Sequence, residues 1–139
     1  MAIAGEHWET VAVEKDRIKL DLDEELYAKL DELGMLHITT ARSDGKLVGY
    51  YAMNVRVHPH YKETLFAFLD SYFIQSEHRK GMAGLRLFLA MEAAMKALGV
   101  QRMIAGMKLH YDVSQVFERL GWTPIEMTYS KYIGDAECQ

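Results

Sequence analysis

A chain of 139 residues, half of them hydrophobic and 26% charged, has the size of one compact domain spanning 1–139, and it is too short for two well-formed cores. Its formal net charge of −4 argues against general nucleic-acid binding, because that affinity comes mostly from neutralising phosphates with Lys and Arg. No apolar run approaches the roughly 18 residues of a membrane span, and the start MAIAGEHWETVAVEKD lacks the basic and apolar regions of a signal peptide, so a cytoplasmic chain with no membrane partner is expected.

In residues 5–15, Trp8, Val11, Ala12 and Lys15 fall at helical spacing, and in Asp23 to Leu33 the positions Leu26, Tyr27, Leu30 and Leu33 do the same before Gly34. Two short helices are predicted. Between them Ile18, Leu20 and Leu22 alternate with charged residues, which leaves a short strand open. His37–Arg42 and Lys46–Val57 are β-rich runs around Asp44-Gly45, a dipeptide suited to the positive φ angles of a tight turn, so they form a hairpin. After the break at 58–62, Thr64–Ile74 (TLFAFLDSYFI) reads as a strand buried on both faces, with Asp70 anomalous inside it. Leu85–Leu98 is a core-facing helix stopped by Gly99. Arg102–Leu109 is expected as a strand, Asp112–Leu120 as a helix capped by Asp112 and ended by Gly121, and Ile125–Ile133 as a last strand.

The one cysteine, Cys138, allows neither an internal disulfide nor a Cys-based zinc site. His58 and His60 have no ligand set beside them, so a loop or substrate contact is the simpler reading and no metal is expected. Charge divides unevenly: residues 1–70 carry 13 acidic and 8 basic side chains, and residues 71–139 carry 7 and 8. An anionic ligand therefore belongs to the second half. There the long strand ends at Ile74, and a helix opens after Arg79, Lys80, Gly81, Met82, Ala83 and Gly84. Small residues let backbone approach a ligand closely, and a helix start offers unpaired N–H groups and positive dipole to a phosphate. The Walker lysine and the dinucleotide glycine fingerprint are both missing, which disfavours an NTPase or an NAD enzyme.

The stretch 74–88 (IQSEHRKGMAGLRLF), followed by 92–100 (EAAMKALGV), the segment 117–122 (FERLGW) and the strand piece 47–50 (LVGY) together resemble the GNAT superfamily of N-acetyltransferases. The signature of that family is Arg/Gln-x-x-Gly-x-Gly/Ala at the start of a long helix. Arg79 and Gly84 fall on its ends, Met82 takes its first glycine, and Gly81 stands one place early. The likeness covers roughly residues 36–133 and is closest to small acetyltransferases encoded by bacteriophages. It implies a single-domain α/β fold with a mixed, mostly antiparallel twisted sheet flanked by helices.

The resemblance also implies acetyl-CoA as co-substrate. Its pyrophosphate would lie on the amides from Arg79 to Gly84, its pantetheine arm along the backbone at Phe73 and Ile74, and His110 would contact it. The acceptor would be a small-molecule or protein amine that attacks the thioester directly. Asp70, taken as lying four residues before Ile74 on the same strand face, is then the base that removes the amine proton through water. Tyr111 is the candidate acid, because the usual tyrosine position holds Phe117. Two alternatives remain: a non-catalytic acyl-CoA-binding protein, motivated by Phe117, and a structural or host-interaction protein on the same fold. A homodimer stays possible. The six acids from Asp21 to Glu32 read as a solvated helix face, or else as an attractor for a cationic amine.

Overall fold

The computed structural model describes residues 2–134. Four helices and four strands follow in the order α1 (Ala2–Val11), α2 (Glu24–Glu32), β1 (Leu36–Ser43), β2 (Lys46–His58), β3 (Tyr61–Ile74), α3 (Ala83–Ala97), β4 (Arg102–Ile104) and α4 (Ser114–Arg119), with a 3₁₀ turn at Ser76–His78. The sheet order is β1-β2-β3-β4. The first three strands are antiparallel neighbours, and β4 joins β3 in parallel after the α3 crossover.

Local chemistry sets several boundaries. The Asp23 carboxylate accepts from the Leu26 N–H at 2.8 Å and starts α2. Asp44 and Gly45 both take positive φ, 49° and 78°, in the β1–β2 turn, as the hairpin signal requires. Gly99 and Gly121 leave α3 and α4 with φ of 82° and 80°, the left-handed exit in which glycine avoids a Cβ clash.

The core lies between the sheet and α3. Leu87, Phe88, Met91 and Met95 pack on Tyr51, Met53, Val55, Ala67 and Ile74. Phe88 stands edge-on to Tyr51 and to Phe117 of α4, and Trp122 ties α4's exit to α3 through a 2.7 Å bond to Glu92. On the opposite face α1 is seated by His7, whose ring stacks on Phe73 at 4.9 Å.

Four expectations change. The 58–62 break is a tight return, and β3 starts directly at Tyr61. Residues 18–22 form no strand. The predicted strand from Arg102 stops at Ile104, and the chain turns back at Lys108 and Tyr111. Ile125–Ile133 also forms no strand: Met127, Tyr129 and Ile133 are 73–90% exposed, so alternation is present but no sheet edge receives it. The nearby ring of Tyr132 instead lies under the Arg17 guanidinium.

Candidate active site

The site is organised by an irregularity in β3. Ala52 pairs with Ser71 and Met53 with Leu69, so Asp70 is the extra residue of a β-bulge. Leu65, Ala67 and Leu69 face α3 before the bulge, and Tyr72 and Ile74 face it afterwards. The inserted residue reverses the alternation, which corrects two expectations. Asp70 is exposed, so β3 is not buried on both faces there. It also lies on the face opposite Ile74, beside Asn54 and α2. Just before this point β3 loses its outer neighbour: the paired rungs with β4 are Phe66–Arg102, Ala67–Met103 and Phe68–Ile104. Among the described residues the outer edge from Leu69 to Ile74 has no strand partner.

On the α3 side of this opening is a cavity of about 270 Å³. Of the residues singled out in the sequence, Ile74, Arg79, Gly81, Met82, Gly84 and Tyr111 line it. Gly81 has φ of 112°, Met82 occupies the N-cap of α3 without a side-chain capping bond, and the first N–H groups of the helix are thus left for a ligand. Arg79 is braced: its Nε donates to the Ile74 carbonyl at 2.8 Å, and its guanidinium lies over the Phe73 and Tyr111 rings. Burial pushes the Tyr111 hydroxyl pKa up, opposed in part by Arg79, so the phenol keeps its proton at neutral pH.

The remaining candidates lie elsewhere. Ala83 opens α3 and packs against the core. Lys80 is exposed beside the cavity wall. Phe73 is buried against His7, and the His110 ring bonds the Thr10 carbonyl of α1 at 3.3 Å. Tyr72 and Arg119 line the cavity without having been singled out for it. The signal for Tyr72 was its position two residues before Ile74; for Arg119 it was a cation in the last turn of the short helix that follows Tyr111. A Cβ on Gly84 would stand 3.1 Å from the Tyr72 hydroxyl oxygen, closer than ordinary van der Waals contact, so the absence of one at Gly84 admits the phenol to the helix start. A wider hollow of about 600 Å³ between residues 14–19 and 130–134 contains none of these residues.

On the other face Asp70 is held by three donors. Tyr27 Oη reaches Oδ2 at 2.9 Å, Ser71 Oγ the same oxygen at 3.2 Å, and Asn54 Nδ2 reaches Oδ1 at 3.4 Å. Burial, then the bond to Asp70, raises Tyr27 to about 12, and burial raises Tyr50 to about 12. Both phenols are donors at neutral pH. Burial lowers the His7 pKa, with Asp70 opposing, and its Nδ1 meets Tyr50 Oη at 2.5 Å.

The sequence matches the profile of the Acetyltransferase (GNAT) family over residues 4–122. The chain belongs to this family. As a GNAT acetyltransferase it is an acyltransferase, and the general reaction of the family is acetyl-CoA-dependent N-acetylation. No curated protein sequence matches. Among solved structures, the fold is similar to a ribosomal-protein-alanine N-acetyltransferase from Brucella melitensis biovar Abortus 2308 (TM-score 0.68, 13% identity, 95% of this chain and 89% of that one). It is also similar to AAC(6')-Iy in complex with a CoA bisubstrate analog (0.62, 20%, 92% and 91%) and to glucosamine-6-phosphate N-acetyltransferase from Arabidopsis thaliana (0.64, 15%, 84% and 82%). These likenesses establish the single-domain GNAT fold. Among the described residues of this GNAT protein no helix is long and apolar enough to cross a membrane, and no three His, Cys, Asp or Glu side chains gather as a metal-binding group.

The residues fit CoA on their own terms. An uncapped helix start beside Arg79 and Arg119 suits a pyrophosphate, and an unpaired strand edge suits an arm with two amides.

Proposed function

We propose that this chain transfers acetyl from acetyl-CoA directly to a primary amine, with Asp70 receiving the amine's proton through an ordered water. One observation supports this reading most: the β-bulge sets a hydrogen-bonded carboxylate beside the point where β4 leaves β3. An alkyl amine of pKa about 10.4 is almost wholly protonated at neutral pH and cannot attack a carbonyl until that proton leaves. The Asp70 carboxylate, oriented by Tyr27 and Asn54, gives it a route. The bound co-substrate supplies the thioester acetyl group. Gly81, Met82, Gly84 and Arg79 hold its pyrophosphate, with Ala83 and Lys80 contributing backbone and charge, and Phe73 and Ile74 provide the strand edge.

Tyr111 then protonates the departing sulfur. A thiol of pKa about 8.5 is a tolerable leaving group, so this step assists more than it decides. His110 serves the cofactor side by fastening the loop before α4 to α1. The acceptor is a small-molecule or protein amine. Kinship with phage-encoded acetyltransferases and a homodimer complete the proposal, supported respectively by the glycine-loop motif and the apolar side chains exposed at 125–133.

A second reading has its own support. Phe117 packs on Phe88 and Trp122 at ring separations of 5.1 Å, so the usual acid is replaced by core, and a CoA-binding protein without turnover would look the same there. Acetyl-CoA titration with thermal melts, followed by thiol release over an amine panel, separates the two. Stabilisation with release supports the transferase, stabilisation without release from any amine favours the binding protein, and no stabilisation at saturating acetyl-CoA rejects both.

A further inference from the structure

The acceptor face carries a second charged group that the transfer chemistry leaves unused. On β2, Asn54 and Arg56 share the face on which Asp70 lies. Arg56 pairs in register with Phe66, yet its Cζ sits 4.4 Å from the ring centre of Phe68, the register partner of Asn54. The guanidinium therefore leans one row toward Asp70. Asn54 reaches Asp70 from the other direction, and the Asn54–Phe68 row separates a fixed anion from a fixed cation.

These two charges do not neutralise each other. Among the described residues the ion pair within 4 Å is Lys15–Glu9, so Arg56, exposed over the Phe68 ring, has no carboxylate partner there. Phe68 is itself stacked on Phe66, at 5.9 Å and 14°, which fixes the platform. Arg102 lies over Phe66 one row further on. Phe68 and Asp70 stand two positions apart on one face of β3, and such positions are about 7 Å apart, so about one such step separates the platform under Arg56 from the Asp70 position.

Resting on the transferase reading, we infer that the acceptor is a zwitterion whose amine lies at Asp70 and whose carboxylate or phosphate, about 7 Å away, is bound by Arg56 on its Phe68 platform. A planar guanidinium offers paired donors to either oxyanion, and its ring support lowers the entropy lost on engagement. The same pair of charges disfavours a diamine, whose second ammonium would meet Arg56. The spacing also rejects an α-amino acid, whose carboxylate lies too close to its amine.

The test is thiol release from acetyl-CoA with pentylamine, cadaverine, glycine, 5-aminopentanoate and 3-aminopropyl phosphate, the last two distinguishing carboxylate from phosphate. The expected kcat/KM for at least one long oxyanion amine exceeds that for pentylamine by about tenfold, carried in KM, and cadaverine and glycine fall below it. In Arg56→Gln that preference collapses toward one, and Arg56→Lys restores part of it. Added salt erodes the preference in the native chain. Equal use of pentylamine and both oxyanion amines, a preference for cadaverine, or an unchanged preference in Arg56→Gln overturns the inference while leaving the transferase standing. Absence of release from every amine overturns both.

Discussion

The two faces of β3 around Asp70 handle a ligand differently. Toward α3 the wall is backbone and ring: an uncapped helix start, Gly84 under the Tyr72 phenol, and an arginine already tied to the Ile74 carbonyl. Toward α1 and α2 it is a set of side chains, with Tyr27, Asn54 and Ser71 on Asp70 and His7 on Tyr50. Backbone recognises groups that every CoA carries, whereas side chains can be exchanged one at a time without disturbing the helix or the strand. In the proposed reaction a constant co-substrate and a variable acceptor would thus meet on opposite sides of one strand, and a single inserted residue turns the chain between them.

The largest effect that would break this division is catalytic. Asp70→Asn should lower kcat at pH 7 by about 10²–10⁴-fold, the usual contribution of a positioned acid or base. The loss should shrink near pH 10, where free amine is already abundant, while KM for acetyl-CoA stays level. A rate–pH profile checks this, and an equal loss at both ends removes Asp70 as base.

Next is structural. A Cβ on Gly49 would stand 2.8 Å from the Phe73 carbonyl oxygen and 2.9 Å from Ile74 Cγ1. Gly49→Ala should therefore cost about 1–3 kcal/mol in a denaturant titration and loosen both faces together, since β3 itself must move. Arg79→Ala should be smaller and one-sided, weakening acetyl-CoA about tenfold in direct binding with little change in amine KM. A loss confined to kcat would contradict its place on the cofactor face.

The smallest effect is the pH response of α1. Burial lowers His7 from 6.5, so the folded chain takes up its proton less readily than the unfolded chain. Stability is then full above pH 6.5 and declines as pH falls through that value toward the folded pKa. Thermal melts at pH 7.5 and 5.5 should show the drop, and His7→Phe, which keeps a ring on Phe73, should show a smaller one.

Much of the frame was legible because it rests on local chemistry. Asp44-Gly45, Asp23, Gly99 and Gly121 each impose a backbone conformation that no distant contact needs to supply. Gly81 to Gly84 was readable for the same reason. The bulge was hidden, because in a strand apolar on both sides a one-residue shift of phase leaves no gap in the pattern. Leu69 and Tyr72, three positions apart, would face opposite sides of a regular strand, although both face α3 here. Ile125–Ile133 failed in the opposite way: alternation describes what a strand would bury, but a strand also needs an edge to join. Arg56 was passed over because a lone arginine in a β-run has meaning only through its neighbours across the sheet.

One consequence of the three-rung β3–β4 pairing concerns solubility. A strand edge kept open for a cofactor is chemically indistinguishable from one that would accept a segment of another chain, and such edges nucleate aggregation. The bond from Arg79 Nε occupies the last outward carbonyl of β3, at Ile74, with a charged group that a foreign strand would have to displace. Arg79 is thus a guard on the edge in the ligand-free protein, and saturating acetyl-CoA should protect the chain during concentration and storage.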